Sequence, residues 1–191
     1  MVTKGRRIKM FNIKYELLDS ELNRLRETTD LKEFELDVNE VVGQFQLSVN
    51  DRVEGFVDKD IPYEGEFVSE WIYLLNESIQ CLDEEGFVSI SAPDSNNIRY
   101  ELELNSEGLI VKKIRALPKQ ILEHICIEPV EQAEFFWKEI VSAKAFSHAV
   151  LEVTEQFLTQ VEKANPFLLE LEILLRLKQS FLKSKDIVLT A

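Results

Sequence analysis

Phe67-Val68-Ser69-Glu70-Trp71-Ile72-Tyr73-Leu74-Leu75-Asn76-Glu77-Ser78-Ile79-Gln80-Cys81-Leu82-Asp83-Glu84-Glu85-Gly86-Phe87-Val88-Ser89-Ile90 carries the change of period that decides the fold. Phe67, Trp71, Leu74, Leu75, Ser78 and Leu82 fall on one broad face of a helical wheel. Glu70, Asn76, Glu77, Gln80 and Asp83 fall largely on the other. Gly86 stands where a helix C-cap belongs, because glycine enters the left-handed conformation that ends a helix without steric cost. Beyond it the period drops to two, and Phe87-Val88-Ser89-Ile90 reads as a strand. A long helix delivered into a run of strands predicts an α+β protein.

Outward from this stretch the strands continue in both directions. Residues 93–97 read as a turn, and Tyr100, Leu102 and Leu104 as the return strand. Asn105-Ser106-Glu107-Gly108 closes a second hairpin leading into residues 109–114. On the N-terminal side, Ile61-Pro62-Tyr63-Glu64-Gly65-Glu66 breaks the pattern, and residues 53–57 before it add a short strand. Phe45, Leu47 and Val49 alternate with polar neighbours; so do Phe34, Leu36 and Val38, with Gly43 as a bulge or turn between the two runs. Phe11, Ile13, Tyr15 and Leu17 alternate as well, and the polar residues 23–30 read as a loop or one short helix. The first two-thirds is therefore expected to be an antiparallel sheet crossed by one helix.

The remainder reads differently. After residues 121–127, which admit a strand, Pro129 fits the first position of a helix, and helical periodicity runs on to about Lys163. Phe136, Ile140, Ala143, Val150, Phe157, Leu158 and Val161 form its central stripe, widened by Trp137 and Val141 on one side and Phe135, Phe146 and Val153 on the other. That arc exceeds the roughly 100° that a surface helix needs. At about 1.5 Å per residue such a helix outreaches a domain of this size, so a break is expected near residues 142–148. Asn165-Pro166 combines an N-cap with a first-turn proline and starts a second helix reaching about Ser184, rich in leucine from Leu168 to Leu177. Two such helices predict a C-terminal antiparallel hairpin, buried within the chain or set partly against another molecule.

The expected organisation is an acidic sheet-plus-helix portion, 10–117, and a helical portion, 118–191, packed on the same core. Residues 1–9 stand apart. Lys4-Gly5-Arg6-Arg7-Ile8-Lys9-Met10 back-translates to a purine-rich stretch followed by an ATG, which marks 1–9 as a non-native extension and Met10 as the natural start.

Charge is the most informative part of the composition. The chain of 191 residues carries −13, and residues 54–107 hold 14 acidic groups against 2 basic ones. A field of that sign repels nucleic-acid phosphates and draws cationic partners inward, although an acidic surface also serves solubility alone. No segment approaches the unbroken apolar run of a membrane span, and the basic N-terminus lacks the apolar stretch of a secretion signal. Cys81 and Cys126 each sit alone among apolar neighbours and read as free thiols, which makes the cytoplasm the default compartment.

The chemistry-bearing patterns are missing. His124 and His148 lie in separate segments without ligand spacing, and there is no C-x-x-C, H-E-x-x-H, G-x-S-x-G or phosphate loop. The chain therefore reads as a non-enzyme without cofactor or metal. Glu64, Glu66 and Glu70 beside Trp71 are the carboxylates best placed to act together. They fit dipole compensation at a helix N-terminus, contact with a partner, or a carboxylate pair for acid–base or divalent-ion chemistry. Asp83-Glu84-Glu85 ends the same helix at the pole where negative charge is unfavourable, which hints at an outside partner. Tyr63 and Tyr73 are exposed-aromatic candidates, and aromatics rimmed by carboxylates suit a surface rich in lysine and arginine.

Ile61-Pro62-Tyr63-Glu64-Gly65-Glu66-Phe67-Val68-Ser69-Glu70-Trp71, the helix it opens and the acidic hairpins through Ile114 resemble the immunity proteins of bacterial polymorphic-toxin systems. The resemblance covers about a third of the chain and rests on no invariant motif. It implies a small, acidic, cytosolic α+β protein that neutralises a toxin by plugging its active site. Were the toxin a nuclease, the acidic middle of the chain would imitate a phosphate backbone. The expectation is thus a non-catalytic bacterial protein that binds a basic protein, not nucleic acid or membrane, through Tyr63, Glu64, Glu66, Glu70, Tyr73, Glu77, Asp83, Glu84 and Glu85. The alternative is a structural or regulatory homodimer assembled through the C-terminal helices; a hydrolase using a carboxylate pair is the outsider.

Overall fold

Helix α3 (Val68–Glu85) ends as its sequence requires: Gly86 adopts φ 72°, and its N–H bonds to the Leu82 carbonyl at 3.1 Å. The computed structural model describes residues 10–37, 39–63, 65–93, 95, 97–117 and 123–190. The candidate extension 1–9, Val38 and Glu64 lie outside the described residues.

Before α3 the chain runs β1 (Phe11–Glu16), α1 (Asp19–Glu27), α2 (Leu31–Asp37), β2 (Val42–Val49), β3 (Arg52–Gly55) and β4 (Glu66–Phe67). After it come β5 (Phe87–Ser91), β6 (Ile98–Asn105), β7 (Gly108–Ala116), β8 (Ile125–Cys126), β9 (Ala133–Val141), α4 (Ala143–Ala164), a 3-10 turn (Pro166–Glu170) and α5 (Glu172–Thr190). The fold is α+β, with antiparallel pairing throughout and α4 and α5 packed together. The strands divide between two sheets rather than forming one. The first has the order β1-β2-β3 with β4 on the start of β2, and the second has the order β8-β5-β6-β7-β9.

A line of aromatic contacts joins the two sheets. Phe45 of β2 stacks on Trp71 of α3 at 4.9 Å, Trp71 meets Tyr100 of β6 at 5.8 Å, and Tyr100 meets Trp137 of β9 at 6.2 Å. On the other flank α4 packs on β1 through Phe146 against Phe11 and Phe157 against Tyr15. Helix α3 is the centre of this core; Val68, Ile72, Leu74 and Leu75 are all buried, each such side chain contributing roughly 1.5–3 kcal/mol.

Three expectations are corrected. Residues 133–141 form β9, not the start of a helix at Pro129, because β7 offers a full-length antiparallel partner. Register slips by one between Ile114↔Phe135 and Lys113↔Trp137, leaving Phe136 as a bulge; this extra residue breaks strict alternation and gives the stretch its helical look. The helix begins only after Ser142, whose hydroxyl caps the Ala145 N–H, inside the expected break. Residues 31–37 form helix α2 rather than a strand: Phe34 is buried while Leu36 is 87% exposed, so the two do not share a core face. Gly43 lies inside β2 rather than between strands, where a Cβ would fall 2.4 Å from the Glu16 carbonyl. Asn165 does cap the next segment through the Phe167 N–H, opening the 3-10 turn ahead of α5. Among the described residues no helix is long and apolar enough to cross a membrane.

Candidate functional site

Helix α3 distributes the candidate residues over three places. Near its start, Glu66 accepts a bond from the Trp71 indole at 2.8 Å and lines a cleft of about 400 Å³ between the sheets. On the opposite wall Glu54 takes the Trp137 indole at 2.8 Å and the Lys113 ammonium at 2.5 Å. Tyr63 is exposed in the preceding loop, its ring 6.0 Å from that of Phe56. In mid-helix Glu77 is spent on holding α5: it accepts from the Ser180 hydroxyl at 2.6 Å and from Gln80 at 3.1 Å. At the far end Asp83, Glu84 and Glu85 are exposed. Beside them opens a groove of about 410 Å³, lined by Leu82, Leu104, Leu109, Phe146 and Val188 among others. Burial, followed by the charges of Glu77, Glu84 and Glu85, pushes the Cys81 thiol up, so that neighbourhood carries a negative field.

Glu70 and Tyr73 meet four polar residues that sequence spacing did not single out as partners. An open cleft of about 520 Å³ is lined by Glu40, Glu70, Tyr73, Glu123, His124 and Arg176, with Phe67, Leu74, Pro93 and Ile125 as apolar walls. Glu40 arrives from the turn before β2. Its carboxylate accepts a short bond from the Ser69 hydroxyl, which also receives the Val41 N–H at 2.9 Å. Its backbone carbonyl is held by Arg24 at 2.7 Å. His124 enters on the segment before β8: its carbonyl accepts from Ser91 N–H at 2.9 Å, and its Nδ1 lies 2.9 Å from the Ser91 hydroxyl. The buried Arg99 guanidinium pins that segment from beneath, donating to the Glu123 carbonyl at 2.9 Å and the Ser89 carbonyl at 2.7 Å. Arg176 comes from α5, its guanidinium 4.5 Å above the Tyr73 ring.

Glu40 and Glu70 share this cleft with His124 and with the Arg176 guanidinium, which lies over the Tyr73 ring. Among the described residues neither Glu40 nor Glu70 makes an ion pair within 4 Å. Burial pushes Glu40 up to about 7; the Ser69 bond and Arg176 oppose the shift and Glu70 adds to it. Burial also raises Glu70, against the pull of His124 and Arg176. Among the described residues no group of three or more histidine, cysteine, aspartate or glutamate side chains is arranged to hold a metal ion.

The nine candidates thus do not form one surface. Glu70 and Tyr73 share the cleft, Glu66 and Tyr63 flank the neck before α3, Glu77 is half-buried and bonded to α5, Asp83 to Glu85 stand at the other pole, and Glu64 lies outside the described residues. Glu40, His124 and Arg176 carry no local signal of their role: they stand 30, 54 and 106 residues from Glu70 in the chain. No family model, no curated protein and no solved structure matches the chain.

Proposed function

We propose that the protein binds and blocks a basic protein, taking a lysine or arginine side chain of that partner into the Glu40–Glu70 cleft. The reading is carried by one observation: two half-buried carboxylates face an open cleft with no ion-pair partner among the described residues. Burial disfavours their charged form, and an incoming cation restores it, so occupancy and ionisation reinforce each other. Phe67 offers apolar surface to the stem of such a side chain. The exposed Asp83, Glu84 and Glu85 supply long-range attraction. Neutralising a toxin by occupying its cationic active site, as the likeness to immunity proteins suggests, is one form this binding would take.

The test is to tag the chain in its native host and identify what co-purifies at low and at high salt. A stoichiometric basic protein lost at high salt is expected. With that partner in hand, Asp83→Lys/Glu84→Lys/Glu85→Lys should slow association at least tenfold at low ionic strength, a rate effect typical of displayed charge. Glu40→Gln/Glu70→Gln should leave association nearly unchanged and speed dissociation. An acidic partner, or binding kinetics indifferent to all five substitutions, would rule the reading out.

A further inference from the structure

The outward face of α5 carries Leu175, Leu182 and Leu189, exposed to 43, 53 and 75%. They stand seven residues apart and form a stripe about 21 Å long on the side opposite the buried Ile173, Leu177 and Ser184. A single exposed leucine is ordinary. Three on one line of a helix whose other side is already packed make a second apolar face.

The side chains between those leucines say what fits there. Lys178 lies four residues before Leu182 and Asp186 four residues after it, both exposed, while Leu175 and Leu189 lie seven before and seven after. The pattern is symmetric in spacing and reversed in charge. That is the condition for a surface to complement itself about a two-fold axis, where every contact is made twice. We propose that two copies of the chain associate through antiparallel α5 helices, with the axis at Leu182. In that register Leu182 meets its own copy, Leu175 meets the partner's Leu189, and Lys178 faces the partner's Asp186. Gln179 falls opposite the partner's Lys185 and Phe181 opposite the partner's Lys183, so no like charges oppose each other. A parallel pairing sets Lys178 against Lys178 and Asp186 against Asp186, so charge selects the antiparallel arrangement. One helix face is a small interface, and dissociation in roughly the micromolar range follows. The inference does not rest on the acidic cleft, and either can fail without the other.

Sedimentation velocity on the full chain, from about 1 to about 500 µM, tests it across the range where such an interface should exchange. A monomer–dimer equilibrium is expected, and Leu182→Glu, which sets two carboxylates on the axis, should be monomeric throughout. Lys178→Asp and Asp186→Lys should each weaken the dimer at least tenfold, and the double variant should recover it. Because all three positions are exposed, every variant should keep the wild-type circular dichroism, and its melting temperature at concentrations low enough for the wild type to be monomeric. A wild-type chain that stays monomeric, a dimer that Leu182→Glu leaves intact, or a double variant no stronger than the singles would overturn the proposal. Leu182→Cys gives an independent readout: oxidation should link two copies covalently when the axis passes through that residue, and a cysteine that resists linking while the dimer persists would exclude the register.

Discussion

The two ends of α3 are both acidic, and the protein treats the charge at each in opposite ways. At the N-terminal end Glu70 and Glu40 are half-buried in a cleft, and burial favours their protonated forms. At the C-terminal end Asp83, Glu84 and Glu85 stand in solvent, on the pole of the helix where the backbone carbonyls disfavour them. One end withholds charge until a cation arrives; the other displays it permanently. Residue type is shared, so the difference lies in packing: the Glu70 side of the first turn is enclosed by the turn before β2, the segment before β8 and α5, whereas in the last turn Leu82 is buried and the three carboxylates lie on the exposed face. Withheld charge is suited to holding a bound partner, and displayed charge to finding one.

The largest effect is expected where the cleft is tied to the core. Ser69 is buried, and its hydroxyl serves both the Val41 N–H and the Glu40 carboxylate. Ser69→Ala strands a buried donor, a loss of about 2 kcal/mol. It also removes a bond that favours ionised Glu40, so the loss should be greater at pH 8 than at pH 5.5, measured by urea unfolding. A cost below about 0.5 kcal/mol, or one flat with pH, would break the link between burial and latent charge.

Glu40→Gln comes next and has the opposite sign. Burial pushes Glu40 up to about 7 in the folded protein from the 4.5 of a free glutamate, so the folded state binds more protons over that interval. Its contribution is most favourable below about pH 4.5 and is lost as pH rises through 7. The carboxamide carries no charge at either pH. Glu40→Gln should therefore match the wild type near pH 4.5 and exceed it at pH 8 by about 1–2 kcal/mol, after allowance for solvent screening at a partly exposed site. Equal stability of the two proteins at pH 8 would place Glu40 in a watery environment and remove the contrast between the ends of α3.

How much of this was legible depends on whether the information was local. The helix over α3, its Gly86 cap and the hairpins of β5, β6 and β7 could be read because period and turn residues agree over each segment. Asn165-Pro166 was equally clear, since capping is decided within three residues. β9 was not, because Phe135, Phe136 and Trp137 are successive aromatics around a bulge, and only the distant partner β7 makes them a strand. Phe34 and Leu36 misled for the converse reason, one apolar residue of an alternating pair being exposed on a helix. The same division holds in the candidate site. Glu70 and Tyr73 could be singled out as candidates from their own helix, whereas Glu40, His124 and Arg176 reach the cleft through strand pairing and helix packing that a lone sequence does not encode locally.

The smallest effect tests the displayed end. Asp83→Asn/Glu84→Gln/Glu85→Gln removes the carboxylates from the last turn of α3, where the helix has no basic residue to offset them. Relief of the helix dipole should stabilise the protein by about 0.5 kcal/mol at low salt, fading at high salt as the charges are screened. Chemical unfolding at two ionic strengths measures it. A gain means that the native sequence retains three carboxylates at a cost to its own stability, and a solubility role does not call for that cost at a helix terminus. The same variant should lose the salt-sensitive part of its association rate with a basic partner. Stability unchanged and association unchanged together would reduce the displayed end to ordinary surface and leave the cleft alone to account for binding.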